Sequence, residues 1–390
     1  MSRYVILREL GVSHAPFGAR RGAGPGSLGT NRGFSLEVEA LSSRDRADLA
    51  TEPAVRAVAR VMPTRLIRPL AGSTNALMHE AWGLASVGAT TSNWDGTDVL
   101  VSVLDTGIDR EHAAFAGVNL VEKDFTGGAN GDRAGHGTHC AGIMFGRSVN
   151  GVRIGVALGV QRALIGKVLN DDGVGTSDTT FAGIRWAHSL GAQVISMSLG
   201  FDFPGMTRDL VIDGWPVELA ASSALEAYAS NLRMFDALMS VLRASEAFTG
   251  GSVVVAAAGN ESRRNLDPRF EIAASLPSAA QDVVSVGALF KVGEAYDVAS
   301  FSNTLPLLSA PGVDIISAAI GGGLVSMSGT SMASPHVAGV AALWWQAVRH
   351  QALPYNSRTV LIRMQAAARV DCFAPHVEVA ARGLGLISAP

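Results

Sequence analysis

The sequence predicts an α/β fold: a three-layer domain with a mostly parallel sheet between two sets of helices, preceded by a small α+β unit. The first reason is a series of short apolar runs at residues 99–104, 163–168, 194–199, 253–257 and 283–286, separated by stretches with helical spacing. Runs that do not alternate suit strands covered on both faces, as in a parallel sheet flanked by helices. The second is composition. Of 390 residues, 48% are apolar and 17% charged, enough to bury a large core and to exclude disorder of the whole chain, and 44 glycines suit tight turns and close backbone approaches. The third is a break in charge: eleven arginines against six acids give residues 1–75 a charge of +5, which leaves −8 for residues 76–390 of a chain whose total is −3.

The first unit, residues 1–75, begins with a short strand at 3–10, followed by a glycine-rich connection at 11–33. Leu36, Val38 and Ala40 then alternate with Glu37 and Glu39, the period of a half-buried strand. Ser42 or Ser43 caps a helix through Ala50, with Pro53 beyond its end, and residues 55–61 return to a strand pattern. Residues 76–390 form the α/β domain, with a largely helical insertion at about 201–250.

Several function classes are excluded or disfavoured at this level. Thirty-one basic and 34 acidic residues leave no electrostatic footprint for a nucleic-acid partner. The apolar start Val5-Ile6-Leu7 is broken by Arg8-Glu9 before a signal-peptide core can form, and no run approaches the roughly 18 apolar residues of a membrane span. Two cysteines, Cys140 and Cys372, are too few for a disulfide framework and suit a reducing compartment, so a cytoplasmic protein without a membrane partner is expected.

Four motifs carry chemistry. Asp105-Thr106-Gly107 follows an apolar run directly, so its carboxylate emerges at the carboxyl end of a strand, where ligands and catalytic groups gather in such folds. A turn would need the same residue types. His136-Gly137-Thr138-His139 precedes a small apolar stretch that reads as a buried helix; the two histidines lack the intervening glutamate and the carboxylate pattern of a zinc site. Residues 253–258 form an apolar strand that delivers Gly259 and Asn260, and the amide can donate to an oxyanion. Gly329-Thr330-Ser331-Met332-Ala333-Ser334-Pro335-His336 leads into a helix of small residues; Pro335 suits a first helical turn, which puts Ser331 among unpaired amides that favour negative charge. Such a serine is either an N-cap or a nucleophile whose own N–H helps hold the oxyanion it creates.

Asp105, His136, Asn260 and Ser331, in this order and each in its own extended motif, resemble the subtilisin-like serine proteases. The resemblance covers most of residues 82–390, including Val168-Leu169, Ile195-Ser196-Met197-Ser198-Leu199-Gly200 and the closing Gly383-Leu384-Gly385-Leu386-Ile387-Ser388-Ala389. The related carboxyl proteinases share a Gly-Thr-Ser motif but lack the histidine motif. The resemblance implies a subtilisin-like fold and a serine endopeptidase in which Ser331 attacks, His136 shuttles the proton, Asp105 orients the imidazole, and Asn260 with the Ser331 amide holds the oxyanion. It implies peptide or protein substrates, bound along Ser198, Leu199 and Gly200 and along Ala257, Ala258 and Gly259, and no cofactor for catalysis. The first unit resembles the family's inhibitory propeptide in its helix Ala47-Asp48-Leu49-Ala50 and the strand at 55–61, which implies a self-inhibited precursor cut between about residues 70 and 80.

Family members often carry structural calcium after the histidine helix, which makes Asn150 a candidate ligand in the stretch 148–155. No carboxylate stands there, while Arg147 and Arg153 bring positive charge. The same acyl-enzyme also serves peptide ligation or cyclisation, and a peptide-binding relative without catalysis would carry a broken triad, which this chain does not. The insertion starts directly after the substrate strand and is expected to wall the cleft.

Overall fold

The computed structural model describes residues 2–10, 33–71 and 81–390. The expected glycine-rich connection lies outside these, apart from Gly33, as do the expected boundary near residue 75 and most of the expected cut region. The N-terminal unit comprises strands β1 (Ser2–Glu9) and β2 (Phe34–Leu41), helix α1 (Ser43–Leu49) and strand β3 (Val55–Arg60). Its antiparallel sheet has the order β2-β1-β3. Helix α1 starts where the sequence places it: Ser42 and Asp45 close a reciprocal capping box. Tyr4, Ile6, Leu41 and Leu49 form the unit's own small core, whereas Val5, Leu7 and Ala59 pack into the larger domain. Strand β1 is therefore covered on both faces. The alternation expected of β2 is weaker in fact, since Val38 is 44% exposed.

The chain continues through β4 (Pro63–Leu66), β5 (Leu70–Ala71), α2 (Trp82–Ser86), β6 (Val101–Asp105), β7 (Asn119–Asp124), α3 (His136–Phe145), β8 (Arg162–Lys167) and β9 (Val174–Thr176). Next come α4 (Ser177–Ser189), β10 (Val194–Met197), β11 (Leu199–Phe201), α5 (Phe203–Ile212), α6 (Val217–Ala244), α7 (Glu246–Thr249) and β12 (Val253–Ala257). The last elements are β13 (Val283–Val292), β14 (Ala295–Val298), β15 (Leu308–Pro311), β16 (Ile315–Ala318), β17 (Leu324–Ser328), α8 (Thr330–His350), α9 (Ser357–Ala366) and α10 (Val379–Arg382).

The main sheet runs β14-β13-β12-β10-β6-β8-β7, with β15 also on β13, and every pairing in it is parallel except β13–β14. All five predicted runs are strands of it. Alternate residues of those strands face opposite layers: Val101, Val103 and Val255 pack with α3 and α8, while Leu104, Ile195 and Val254 pack with α4 and α6. Non-alternating sequence was the signature of this two-sided burial. The edge strand β7 escaped the sequence because it is half-exposed and carries charge. Among the described residues, no helix is long and apolar enough to cross a membrane.

The insertion is mainly α6, 28 residues long. Met234, Phe235 and Leu238 on its inner face meet Phe181 and Phe201, so the helix belongs to a core layer. Its other neighbour is the N-terminal unit: Asn231 Nδ2 donates to the Arg60 carbonyl at 2.8 Å and Arg60 donates to Ser223 Oγ at 2.6 Å. The expected wall is confined to Phe203 and Pro204 of α5 with Leu225 and Tyr228 of α6, which line a cavity beside the cleft.

Candidate active site

Asp105 ends β6 and is buried, with one carboxylate oxygen accepting from Thr106 N at 2.7 Å. The next turn can press against α3 because Gly137 has no side chain; a Cβ there would lie 2.2 Å from the Gly107 carbonyl oxygen. His136 opens α3, and its Nδ1 lies 2.8 Å and 3.0 Å from the two oxygens of Asp105. Nδ1 is thereby held as the donor, which leaves Nε2 free to accept. Burial pushes the imidazole pKa down, but the Asp105 carboxylate, with the Cys140 sulfur beyond it, raises it well above the ordinary 6.5. His139 faces the other way, with Nε2 on the carbonyls of Ile315 and Val325, and burial lowers its pKa to about 3. The two histidines therefore do not face a common ligand position.

Ser331 is the second residue of α8, whose N-cap is Gly329. Pro335 stands in the second helical turn, not in the first as the sequence suggested. A residue there would ordinarily donate its N–H to the Ser331 carbonyl, and proline has none. That carbonyl accepts instead from Cys140 Sγ at 3.3 Å and Ser198 Oγ at 3.2 Å. The missing N–H thus lets the Ser331 backbone be tied to α3 and to the residue after β10. Asn260, just past β12, accepts through Oδ1 from Thr330 N and Thr330 Oγ1, both at 2.9 Å, which aims Nδ2 into the cleft.

The cleft is filled by the chain's own segment. Strand β4 lies antiparallel between β11 and β9, with Leu66 facing Leu199, Arg65 facing Gly200, and Thr64 facing both Phe201 and Gly175. Beyond the site, β5 pairs with β17. Ser331 Oγ donates to the Ile67 carbonyl at 3.1 Å and Asn260 Nδ2 to the Arg68 carbonyl at 3.2 Å. His136 Nε2 is buried and has no hydrogen-bond partner among the described residues.

Residues 96–376 match the subtilase family. The chain belongs to that family. Among relatives of this subtilase, "Subtilisin-like protease 6" of Trichophyton rubrum is 31% identical over 329 residues, 78% of this chain and 66% of that protein. "Subtilisin-like serine protease Pen ch 13" of Penicillium rubens is 30% identical over 379 residues, 87% and 81% of the two chains. "Subtilisin-like protease 1" of Arthroderma gypseum is 35% identical over 280 residues, 67% of this chain and 48% of that protein. The subtilase thus spans about two thirds or less of the length of some relatives. Its matched residues are a serine-endopeptidase domain of subtilisin-like fold.

The predicted residues do not all meet the segment. Ser198 donates to the Ser331 carbonyl, and Leu199 and Gly200 pair with the segment. Ala257, Ala258 and Gly259 form the buried support behind Asn260, with Gly259 N on Thr330 Oγ1 at 3.2 Å. Sequence reasoning missed β9, the second flank of the cleft. Its signal was Gly173-Val174-Gly175, since a Cβ at Gly175 would lie 2.3 Å from the Val168 carbonyl oxygen and 2.9 Å from Thr64 Oγ1. It also missed Asp132, which accepts from Thr106 Oγ1, Ala134 N, Gly135 N, Thr138 N and Thr138 Oγ1 and so joins the aspartate turn to the histidine helix.

The residues after α3 do not fit a calcium ion. Asn150 is exposed on a turn between Val149 and Val152, and two guanidinium groups take the surrounding carbonyls. Arg147 donates to Phe145, Leu158 and Val160, and Arg153 to Ala89, Gly155 and Val156. A cation needs those oxygens free and carboxylates among its ligands, and the stretch 148–155 holds no carboxylate.

Proposed function

We propose that this protein is a serine endopeptidase made as a self-inhibited precursor, with Asp105, His136 and Ser331 as its triad. His136 Nε2 takes the proton of Ser331 Oγ as the oxygen attacks a peptide carbonyl, and passes it to the leaving amine. Asp105 holds the imidazole by Nδ1 and stabilises the imidazolium. Asn260 Nδ2 and the Ser331 N–H receive the oxyanion, a contribution worth on the order of 100- to 1000-fold in turnover for such a donor. The acyl-enzyme is then hydrolysed by water with the same histidine as base. Two unpaired thiols, one buried and one half-buried, suit a reducing cytoplasm.

One observation carries this function. A strand of the chain's own lies in the cleft with a carbonyl against Ser331 Oγ, in the way a peptide substrate must lie. The same contact accounts for inhibition. Serine and asparagine grip successive carbonyls, those of Ile67 and Arg68, so no single carbonyl faces both nucleophile and oxyanion donor. The serine proton points to the segment and not to His136. Attack at Arg68 would have to expel the ring nitrogen of Pro69.

The test uses full-length protein. Wild type should label with a fluorophosphonate probe, cleave peptides after processing, and lose mass from its N-terminal unit over time. Ser331→Ala should do none of these while keeping the same thermal melt. Undiminished labelling of Ser331→Ala, or a wild type already fully active at full length, would contradict the assignment of the nucleophile or of the inhibitor respectively.

A further inference from the structure

On the reading that the N-terminal segment lies where a substrate lies, its side chains mark the pockets a peptide would meet. One of these is charged. Arg65 faces Gly200 in the strand pair, and its Nε forms an ion pair with Oδ2 of Asp202. Asp202 follows β11 immediately, and two hydrogen bonds and burial fix it. Its backbone N–H donates to the Pro63 carbonyl at 2.9 Å, its Oδ1 accepts from Gly205 N at 2.8 Å as the N-cap of α5, and its side chain is only 13% exposed. Oδ2 is buried and accepts no hydrogen bond among the described residues.

A buried carboxylate oxygen without a donor is costly unless a cation meets it. Here the cation comes from the segment in the cleft, and among the described residues of the catalytic domain the one arginine lining this cavity, Arg263, is held on the Asn260 and Ser262 carbonyls at 2.7 and 2.8 Å. With the segment in place, Asp202 and Arg65 already line a cavity of about 840 Å³, so a longer side chain at this position has room beside the carboxylate. We propose that Asp202 is a specificity-determining residue that selects arginine or lysine at the substrate position facing Gly200. In the register of the bound segment, that position lies two residues before the residue whose carbonyl Ser331 contacts. Arg65 is itself 44% exposed, so the selection is a moderate preference that salt weakens.

The experiment takes the full chain, incubated until its mass spectrum no longer changes, and three peptides that differ only in arginine, glutamine or glutamate at this position. For wild type, kcat/KM should be about tenfold higher with arginine than with glutamine, and lower again with glutamate, the size expected of a partly screened charge pair. Asp202→Asn retains a capping oxygen for Gly205 and removes the charge, so the arginine-to-glutamine ratio should fall toward one. Asp202→Ser, another capping residue, should do the same if the asparagine variant folds poorly. Equal kcat/KM for the three peptides in wild type, or an unchanged ratio in both variants, overturns the assignment of Asp202 while leaving the endopeptidase intact. Failure to cleave any of them overturns the endopeptidase reading and this inference with it.

Discussion

At His136, two effects of opposite sign meet. Burial alone would make the imidazole less basic, and the carboxylate of Asp105 against Nδ1 reverses that. The histidine acts as a base only when neutral, so kcat/KM should rise with pH through a midpoint above 6.5, the ordinary value. Asp105→Asn removes the opposing charge and leaves burial. The midpoint should therefore move down, and turnover should fall on the order of 10⁴-fold because the tautomer is no longer held. A pH profile of a peptide substrate checks both, and an unmoved midpoint would mean that Asp105 does not set the basicity. The sequence disclosed Asp105, His136, Asn260 and Ser331 because each stands where a strand ends or a helix begins and within a run of several constrained residues. Asp132, Thr106 and Gly175 stayed hidden, since their role lies in what approaches them in space: Asp132 gathers five donors from residues up to 26 positions away.

Among the elements, helix α8 and the loop after α3 show how one residue redirects a whole piece of structure. Ordinary preference predicts Pro335 in the first turn, but the helix starts earlier, and the missing N–H became a means of holding the Ser331 carbonyl to Cys140 and Ser198. In the loop, Arg147 and Arg153 serve carbonyls that would otherwise be left without donors. Arg153→Ala should cost about 1–3 kcal/mol, the penalty for buried acceptors left unpaired, and lower the melting temperature. Chelation by EDTA should leave the wild-type melt unchanged, because no ligand set for calcium stands beside those guanidinium groups. A melt that drops with EDTA and recovers with calcium would show a metal site elsewhere. The five inner strands of the main sheet were legible, as two-sided burial writes itself as unbroken apolar runs, while their order was not. The role of α6 was not, because its apolar face is equally suited to a lid and to a core layer.

For the molecule as a whole, the insertion and the N-terminal unit act together. Helix α6 buries its inner face against the sheet and offers Asn231 and Ser223 to β3, while Ser177 Oγ at the start of α4 accepts from Met62 N at 3.1 Å. These contacts hold the base from which β4 enters the cleft, so the strand is presented by a rigid platform and not by a free tail. Loss of the platform should therefore release the strand even though no residue in the cleft has changed. Asn231 is fully buried, and its Nδ2 is the donor that satisfies the Arg60 carbonyl. In Asn231→Leu that carbonyl keeps no such donor when the unit is docked, a penalty of about 1–3 kcal/mol that weighs on the docked state. Peptide hydrolysis by the full-length chain, measured before any mass is lost, should rise roughly tenfold, since about 1.4 kcal/mol shifts an equilibrium by that factor. The thermal melt should report a folded catalytic domain. Hydrolysis at the wild-type level in such a folded variant would mean that β4 is held by the cleft alone and that α6 does not govern access to Ser331.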